Sequence, residues 1–338
     1  MPMAKDLPNE IRQSHCEACA KTAQVPTRFA LLWAYRIFDL AHDNPRTLFI
    51  GTFVLAAGAS CIALAPIMVK LSPLGPQASA FWRLTFALPL LGLWALIEAK
   101  KARDSDTRPA MPWGLLILAG ALFAGDLATW HASIVRTSAA NATFLSNLTP
   151  IVVVAFTWVT TKALPSRAYW AAVTLALLGS LALSGGAPAT NPERLVGDGL
   201  AALTSIWYGL YLLALTRMRA DWGAGTIMFF TSLVAMVICL VVTLIAGEPI
   251  LPPPTGQSFI SQWWPLLVLG LLAQVGGQGL LAVGFGMVPT HIASVLILLQ
   301  PVLVGFLGWV WLHESLTPIQ VAGGALVLVG IWLAKRAG

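Results

Sequence analysis

Residues 147–159 read NLTPIVVVAFTWV and residues 298–310 read LLQPVLVGFLGWV. At a constant offset of 151 residues, Pro150 falls on Pro301, Val153 on Val304, Trp158 on Trp309 and Val159 on Val310. The register continues without insertion from Gly125 over Gly276, through Ala142 over Ala293, to Gly179 over Gly330. One long segment has been used twice. Each copy sets a helix-breaking proline inside a run apolar enough to lie in lipid.

Composition identifies the solvent. Hydrophobic residues make up 57% of the 338 residues and charged residues 10%, against roughly 45–50% apolar content in soluble domains, and the mean hydropathy is +0.78. The chain therefore reads as an integral membrane protein. Apolar runs near the ~20 residues that cross a bilayer predict ten helices, near 48–69, 79–99, 112–134, 138–160, 168–184, 199–216, 224–246, 264–286, 290–311 and 318–334. The Pro- and Gly-bearing stretch LSGGAPATNPERLVGDG, 183–199, separates five from five. An odd number of crossings makes the second copy enter the membrane from the opposite face. The expected fold is all-α, with inverted five-helix repeats at 48–187 and 199–338 and a linker at 188–198, an architecture of secondary transporters.

Positive charge marks the cytoplasmic side. Lys5, Arg12, Lys21, Arg28, Arg36, Arg46, Lys100, Lys101, Arg103, Arg108, Lys162, Arg167, Arg217, Arg219, Lys335 and Arg336 fall in one set of connecting segments, and only Lys70, Arg136 and Arg194 in the other. Sixteen against three places both termini in the cytoplasm, and the even number of crossings agrees. The formal charge of +6 follows from topology and calls for no nucleic acid.

The tail, residues 1–47, begins polar and has no apolar core of a signal peptide. Within PTRFALLWAYRIFDLAHDNP, Phe29, Trp33, Ile37 and Leu40 stand at helical spacing, which fits an interfacial amphipathic helix as well as it fits disorder. His15, Cys16 and Cys19 supply half of a zinc site with no further ligands in view, so no metal is expected. Cys61 and Cys239 read as packing residues inside spans.

Polar groups inside the spans carry the functional signal, because a charge at a helix centre costs about 2.5–3.5 kcal/mol on insertion scales. Asp126, mid-span in the third helix, is a candidate for a cationic substrate group or for a coupling proton; its alternative is a structural pairing with Arg83 or a hydroxyl. Arg83 either clamps a substrate carboxylate or snorkels to the outer interface beside Trp82. His131 follows Asp126 by five residues, off its face, and reads as a vestibule or packing residue. Thr143 and Asn147 share a face, Gln300 adjoins the second proline, and Gln274 and Gln278 repeat the four-residue spacing beside glycines 276, 277 and 279. Trp207 and Tyr211 share a face with Tyr208 alongside, either an aromatic wall for a flat or cationic ligand or core packing. Pro150 and Pro301 displace the carbonyls of Ser146 and Ile297 and are candidate hinges, or kinks inherited by duplication.

The ending LHESLTPIQVAGGALVLVGIWLAKR, with Glu314, Leu316, Thr317, Gln320, Gly323, Gly324 and Gly330, resembles EamA repeats of the drug/metabolite transporter superfamily, as do FWRLTFALPLLGLWAL and GDLATWHASIVRTSAANATFLSNLTPI. The first copy departs from that pattern, with Ala163 at the place of Glu314 and Lys162 at that of His313. The resemblance implies ten helices and transport of small metabolites, often outward and commonly coupled to ion or proton gradients.

No catalytic or Walker motif is present, so neither an enzyme nor a cofactor is expected. The expected protein is an inner-membrane secondary transporter, most simply an exporter of amino acids or similar small polar metabolites. Its site is expected among Asp126, Asn147, Gln274, Gln300, Arg83 and the Trp207/Tyr211 face. Uptake or exchange of a larger cation such as S-adenosylmethionine is the rival within the class. An intramembrane enzyme using Asp126 and His131, or a non-transporting scaffold, is the rival outside it.

Overall fold

A computed structural model of the chain describes residues 45–101, 110–161, 166–184, 192–254, 258–311 and 317–337. The expected interfacial helix, His15, Cys16 and Cys19, and the loop residues Lys162, Ala163, His313 and Glu314 lie outside the described residues. Every regular element among the described residues is helical. Among the described residues, eight helical runs are long and apolar enough to cross a membrane: Arg46–Leu71, Pro76–Lys101, Trp113–Ile134, Ala139–Thr160, Pro192–Arg219, Ala224–Ile245, Ile260–Gly284 and Thr290–Leu307. Two further apolar helices, Arg167–Leu183 and Pro318–Ala334, are shorter. Large apolar side chains such as Phe53, Ile245 and Ile260 project outward, 69%, 81% and 73% exposed, as side chains facing lipid do and those of a soluble surface do not.

Prolines and serine caps divide the runs. Pro66 lacks the amide that would continue the first run, which splits into α1 (Pro45–Ile62) and α2 (Ala65–Leu71). α3 (Pro76–Lys101) opens on a proline, whose fixed φ suits a first helical position, and is followed by α4 (Trp113–Ile134). The Ser138 hydroxyl accepts from the Asn141 amide to cap α5 (Ala139–Ser146), and Ser166 does the same for Tyr169 at α7 (Arg167–Leu183). Between them lies α6 (Thr149–Thr161). α8 (Pro192–Arg219) starts well before the expected residue 199, because Pro192 and Glu193 suit a helix N-terminus and carry it through part of the expected linker. α9 (Ala224–Ile245) follows. α10 (Phe259–Val268) passes into a π-helical stretch, π1 (Leu269–Gln278), and then α11 (Gly279–Gly284). α12 (Thr290–Leu296), α13 (Leu299–Trp311) and α14 (Pro318–Ala337) complete the chain.

The expected bends at Pro150 and Pro301 are breaks. α5 ends at Ser146 and α6 begins at Thr149; α12 ends at Leu296 and α13 begins at Leu299. Pro150 leaves the Ser146 carbonyl without its helical donor, and the Thr149 hydroxyl donates to it at 2.9 Å. At the second break the Gln300 amide donates to the Ile297 carbonyl at 2.9 Å. Local donors thus satisfy the freed carbonyls, so the chain stops and restarts instead of curving.

Glycines set the closest helix contacts. A Cβ at Gly179 of α7 would stand 2.5 Å from the Gly323 carbonyl oxygen of α14, and one at Gly330 would stand 2.8 Å from the Ala172 carbonyl oxygen of α7. Gly58 of α1 meets Gly277 of π1 in the same way, with 2.9 Å to the carbonyl oxygen. Small residues let helices approach where lipid offers no hydrophobic drive to associate. Through the centre, α3 packs on α9 and α4 on both α8 and α9. This arrangement brings polar residues of α3, α4 and α8 towards the two breaks.

Candidate functional site

At that convergence lies a cavity of about 40 Å³, lined by Ile62, Arg83, Asp126, Leu127, Trp130, Ser146, Asn147, Thr204, Tyr208, Gln278 and Gln300. At ~10–15 Å³ for each water centre this is space for a few waters. Both helix breaks reach it, α5/α6 through Ser146 and Asn147 and α12/α13 through Gln300.

Arg83 enters from α3 and is 1% exposed. Its Nε donates to Gln274 Oε1 at 3.0 Å, and its guanidinium carbon lies 5.9 Å from the Trp130 ring centroid. Arg83 therefore does not snorkel to the interface: an amide and an aromatic face replace the water it would otherwise seek. Gln274 in turn donates through Nε2 to Ser232 Oγ at 3.2 Å. It stands behind Arg83 and is not among the lining residues. Trp82, the expected interfacial neighbour, donates its Nε1–H to the Ile250 carbonyl at 2.7 Å.

Asp126 faces the same cavity from α4, 7% exposed. Among the described residues its carboxylate receives no hydrogen bond and closes no ion pair with Arg83 within 4.0 Å. The structural pairing considered for Asp126 is thus not formed. A buried carboxylate and a buried guanidinium thus line one space. Asn147 donates through Nδ2 to the Thr143 carbonyl at 2.7 Å, which turns its amide oxygen free of that bond. The Gln300 side-chain amide makes no hydrogen bond among the described residues, and the residue is 8% exposed.

On α8 the lining residues are Thr204 and Tyr208. The Tyr208 hydroxyl donates to Gln278 Oε1 at 3.3 Å, and the Thr204 and Thr129 hydroxyls are 2.7 Å apart. Trp207 and Tyr211 point elsewhere. Tyr211 is fully buried, stacks on Phe123 at 4.8 Å and directs its hydroxyl to Met228 Sδ at 3.5 Å. Trp207 lies against the position of Gly125. The 204/208 face carried the legible signal: a threonine one turn before a tyrosine is a polar stripe, whereas the 207/211 stripe is aromatic throughout. His131 is fully buried, with Nδ1 3.1 Å from the Pro76 carbonyl oxygen, and does not line the cavity. Asp126 and His131 therefore do not converge on a common space as the enzyme alternative requires.

The EamA-like transporter family matches residues 49–185 and 195–336, which leaves little of the helical region outside it. The chain belongs to the EamA-like transporter family. Among curated relatives, the uncharacterized transporter YwfM of Bacillus subtilis (strain 168) is 25% identical over 67% of this chain and 74% of its own length. The uncharacterized transporter YvbV of the same organism is 34% identical over 23% of this chain, a stretch that spans about a quarter (26%) of YvbV itself. A solved crystal structure, described only as that of a protein, superposes with a TM-score of 0.68 at 17% identity, over 87% of this chain and 98% of the other. That likeness concerns the fold alone. An EamA-like chain with these membrane-spanning helices is a multi-pass membrane transporter rather than an enzyme.

Proposed function

We propose that this EamA-like protein is a secondary transporter that exports amino acids or related small polar metabolites by alternating access around the Arg83–Asp126 cavity. The observation that carries this reading is the polar cavity lined by Arg83 and Asp126 and reached by two interrupted helices in an apolar fold. The Asp126 carboxylate and the Gln300 side chain, without hydrogen-bond partners among the described residues, are expensive at such depth unless a cargo or an ion uses them. Opposite charges in one space suit a ligand that carries both, with Arg83 on a carboxylate and Asp126 on an ammonium group or a coupling proton. Alternating access requires this cavity to open first to one face and then to the other around its cargo.

Ten crossings in two inverted halves are part of this proposal, residues 48–187 and the segment after the seam, with both termini in the cytoplasm and the protein in the inner membrane. A contact pattern supports a two-fold relation between the halves. The pair Gly179 with Gly323 becomes Gly330 with Ala172 when 151 is added to the first member and subtracted from the second, and both contacts are present. A two-fold exchange of halves produces such swapped pairs. The discontinuous helices α5/α6 and α12/α13 are then equivalent gates, hinged at Pro150 and Pro301.

The test is flux into or out of liposomes containing purified protein, with labelled amino acids and organic cations, with and without a pH gradient. Gradient-driven flux of an amino acid that is lost in Asp126→Asn supports the reading. Flux of a large organic cation alone moves the cargo to the rival class, and flux that survives Asp126→Asn makes that carboxylate structural.

A further inference from the structure

α3 and α9 run antiparallel, and a carboxylate at each end joins one helix to the other. At one end Glu98, from the last turn of α3, accepts from the amides of Gly225 and Thr226 at 2.9 Å each and from the Thr226 hydroxyl at 3.0 Å, in the first turn of α9. At the opposite end Glu248, just past α9, accepts from the amides of Gln77 and Ala78 at 2.9 Å each, in the first turn of α3. Each carboxylate satisfies backbone donors that no helix can satisfy internally and sits at the positive end of the partner's dipole. Gly75 and Gly223 lie directly beneath Glu248 and Glu98, where a Cβ would collide with the carboxylate. Gly247 makes the second clasp possible: its φ of +67° turns the chain after α9, with the amides of Gly247 and Glu248 returning to the Leu244 and Thr243 carbonyls.

The clasps are a swapped pair. Glu98 and Glu248 are 150 residues apart and Gly75 and Gly223 are 148 apart, close to the repeat offset, and each glutamate serves the glycine of the other half. Between the clasps, Trp94 covers Gly225 and Phe229 covers Gly92, with 3.2 Å from a Cβ at Gly92 to the Phe229 ring. Neither end of the pair can part without stripping a buried helix start of its acceptor.

We propose that Glu98 and Glu248 are positioning residues that tie α3 and α9 into a rigid spine, which holds Arg83 at fixed depth while the interrupted helices move around it. In the transport cycle the clasps stay shut at both membrane faces. This rests on the transport reading for the statement that something moves, but the rigidity of the pair can be measured without any cargo.

Two experiments decide it. In the full chain, amide exchange is followed for Gln77, Ala78, Gly225 and Thr226 and for the breaks at 146–149 and 297–300. The clasp amides should exchange at least tenfold more slowly than the breaks, and equal rates at either clasp overturn the spine. In a variant lacking native cysteines, Gly75→Cys with Glu248→Cys and Gly223→Cys with Glu98→Cys replace the clasps by disulfides. Oxidation should leave flux within about twofold, whereas Gly209→Cys with Val152→Cys, tying α6 to α8, should stop it. Flux abolished by either clasp disulfide and restored by reduction would make the clasps gates and overturn the proposal. Glu98→Ala and Glu248→Ala, compared at equal folded amount, should raise half-saturation at least threefold with maximal flux kept; an unchanged half-saturation removes the positioning role. If the reduced proteins move no cargo at all, the transport reading fails, and the exchange rates still decide the spine.

Discussion

The chain Arg83–Gln274–Ser232 gives the most discriminating stability measurement. Gln274→Leu conserves approximate volume and removes both bonds of that amide, the 3.0 Å bond from Arg83 Nε and the 3.2 Å bond to Ser232 Oγ. A hydrogen bond to a charged group contributes about 1.5–3 kcal/mol, and a neutral bond between membrane helices averages about 0.6 kcal/mol. Arg83 is 1% exposed, so bulk solvent does not take the place of the lost acceptor. Gln274→Leu should therefore cost about 2–3.5 kcal/mol, while Ser232→Ala, which loses only the neutral bond, should cost about 0.6 kcal/mol. Reversible unfolding in mixed micelles, followed by far-UV circular dichroism against denaturing detergent, resolves such a difference. A loss in Ser232→Ala as large as that in Gln274→Leu would refute the ordering, and a cost below ~0.5 kcal/mol for Gln274→Leu would refute the claim that Arg83 depends on this acceptor.

Other outcomes follow from single contacts. Gly179→Val must displace the Gly323 carbonyl oxygen from 2.5 Å and should destabilise by about 1–3 kcal/mol, whereas Gly114→Ala, with nothing within 4 Å of the added Cβ, should be neutral or slightly stabilising in the same unfolding assay. Thr149→Val removes the donor to the Ser146 carbonyl; the cost should be about 1 kcal/mol, with faster amide exchange at 147–151. Pro150→Ala and Pro301→Ala, at matched expression, should slow turnover more than they weaken binding, and unchanged turnover would reduce both to inherited kinks. Replacing His131, which lies off the cavity, by Gln should leave gradient-driven flux in place, and its loss would give that histidine a role in proton movement.

Much of this architecture was legible before any coordinates. Hydropathy locates the apolar runs, and the constant offset of 151 matches Pro150 to Pro301 and Trp158 to Trp309. Even so, the sequence reading erred where neighbours outside the segment decide the outcome. Pro150 and Pro301 announced disruption, but a bend and a break differ only in whether Thr149 Oγ1 and the Gln300 amide reach the freed carbonyls. Nothing in LGLLAQVGGQ distinguishes π1 from an α-helix, since its widened turns arise in contact with α1 and α3. Glu98 and Glu248 carry no signal of their own in the sequence, because each lies near a helix end and its partner is more than a hundred residues away.

The polar residues of the site show the same division. That the chain lives in lipid and that Asp126 and Arg83 lie within apolar spans follow from composition and spacing, because hydrophobic length and period are local properties of the chain. Which of those groups meet is a property of helix rotation and contact. Rotation sends Tyr208 to the cavity and Tyr211 into the core, places Gln274 behind Arg83 and Gln278 in front, and holds Asp126 and Arg83 on one space without joining them. A turn of about 100° per residue separates a lining side chain from a packed one, and only the packing of small residues between helices sets that angle.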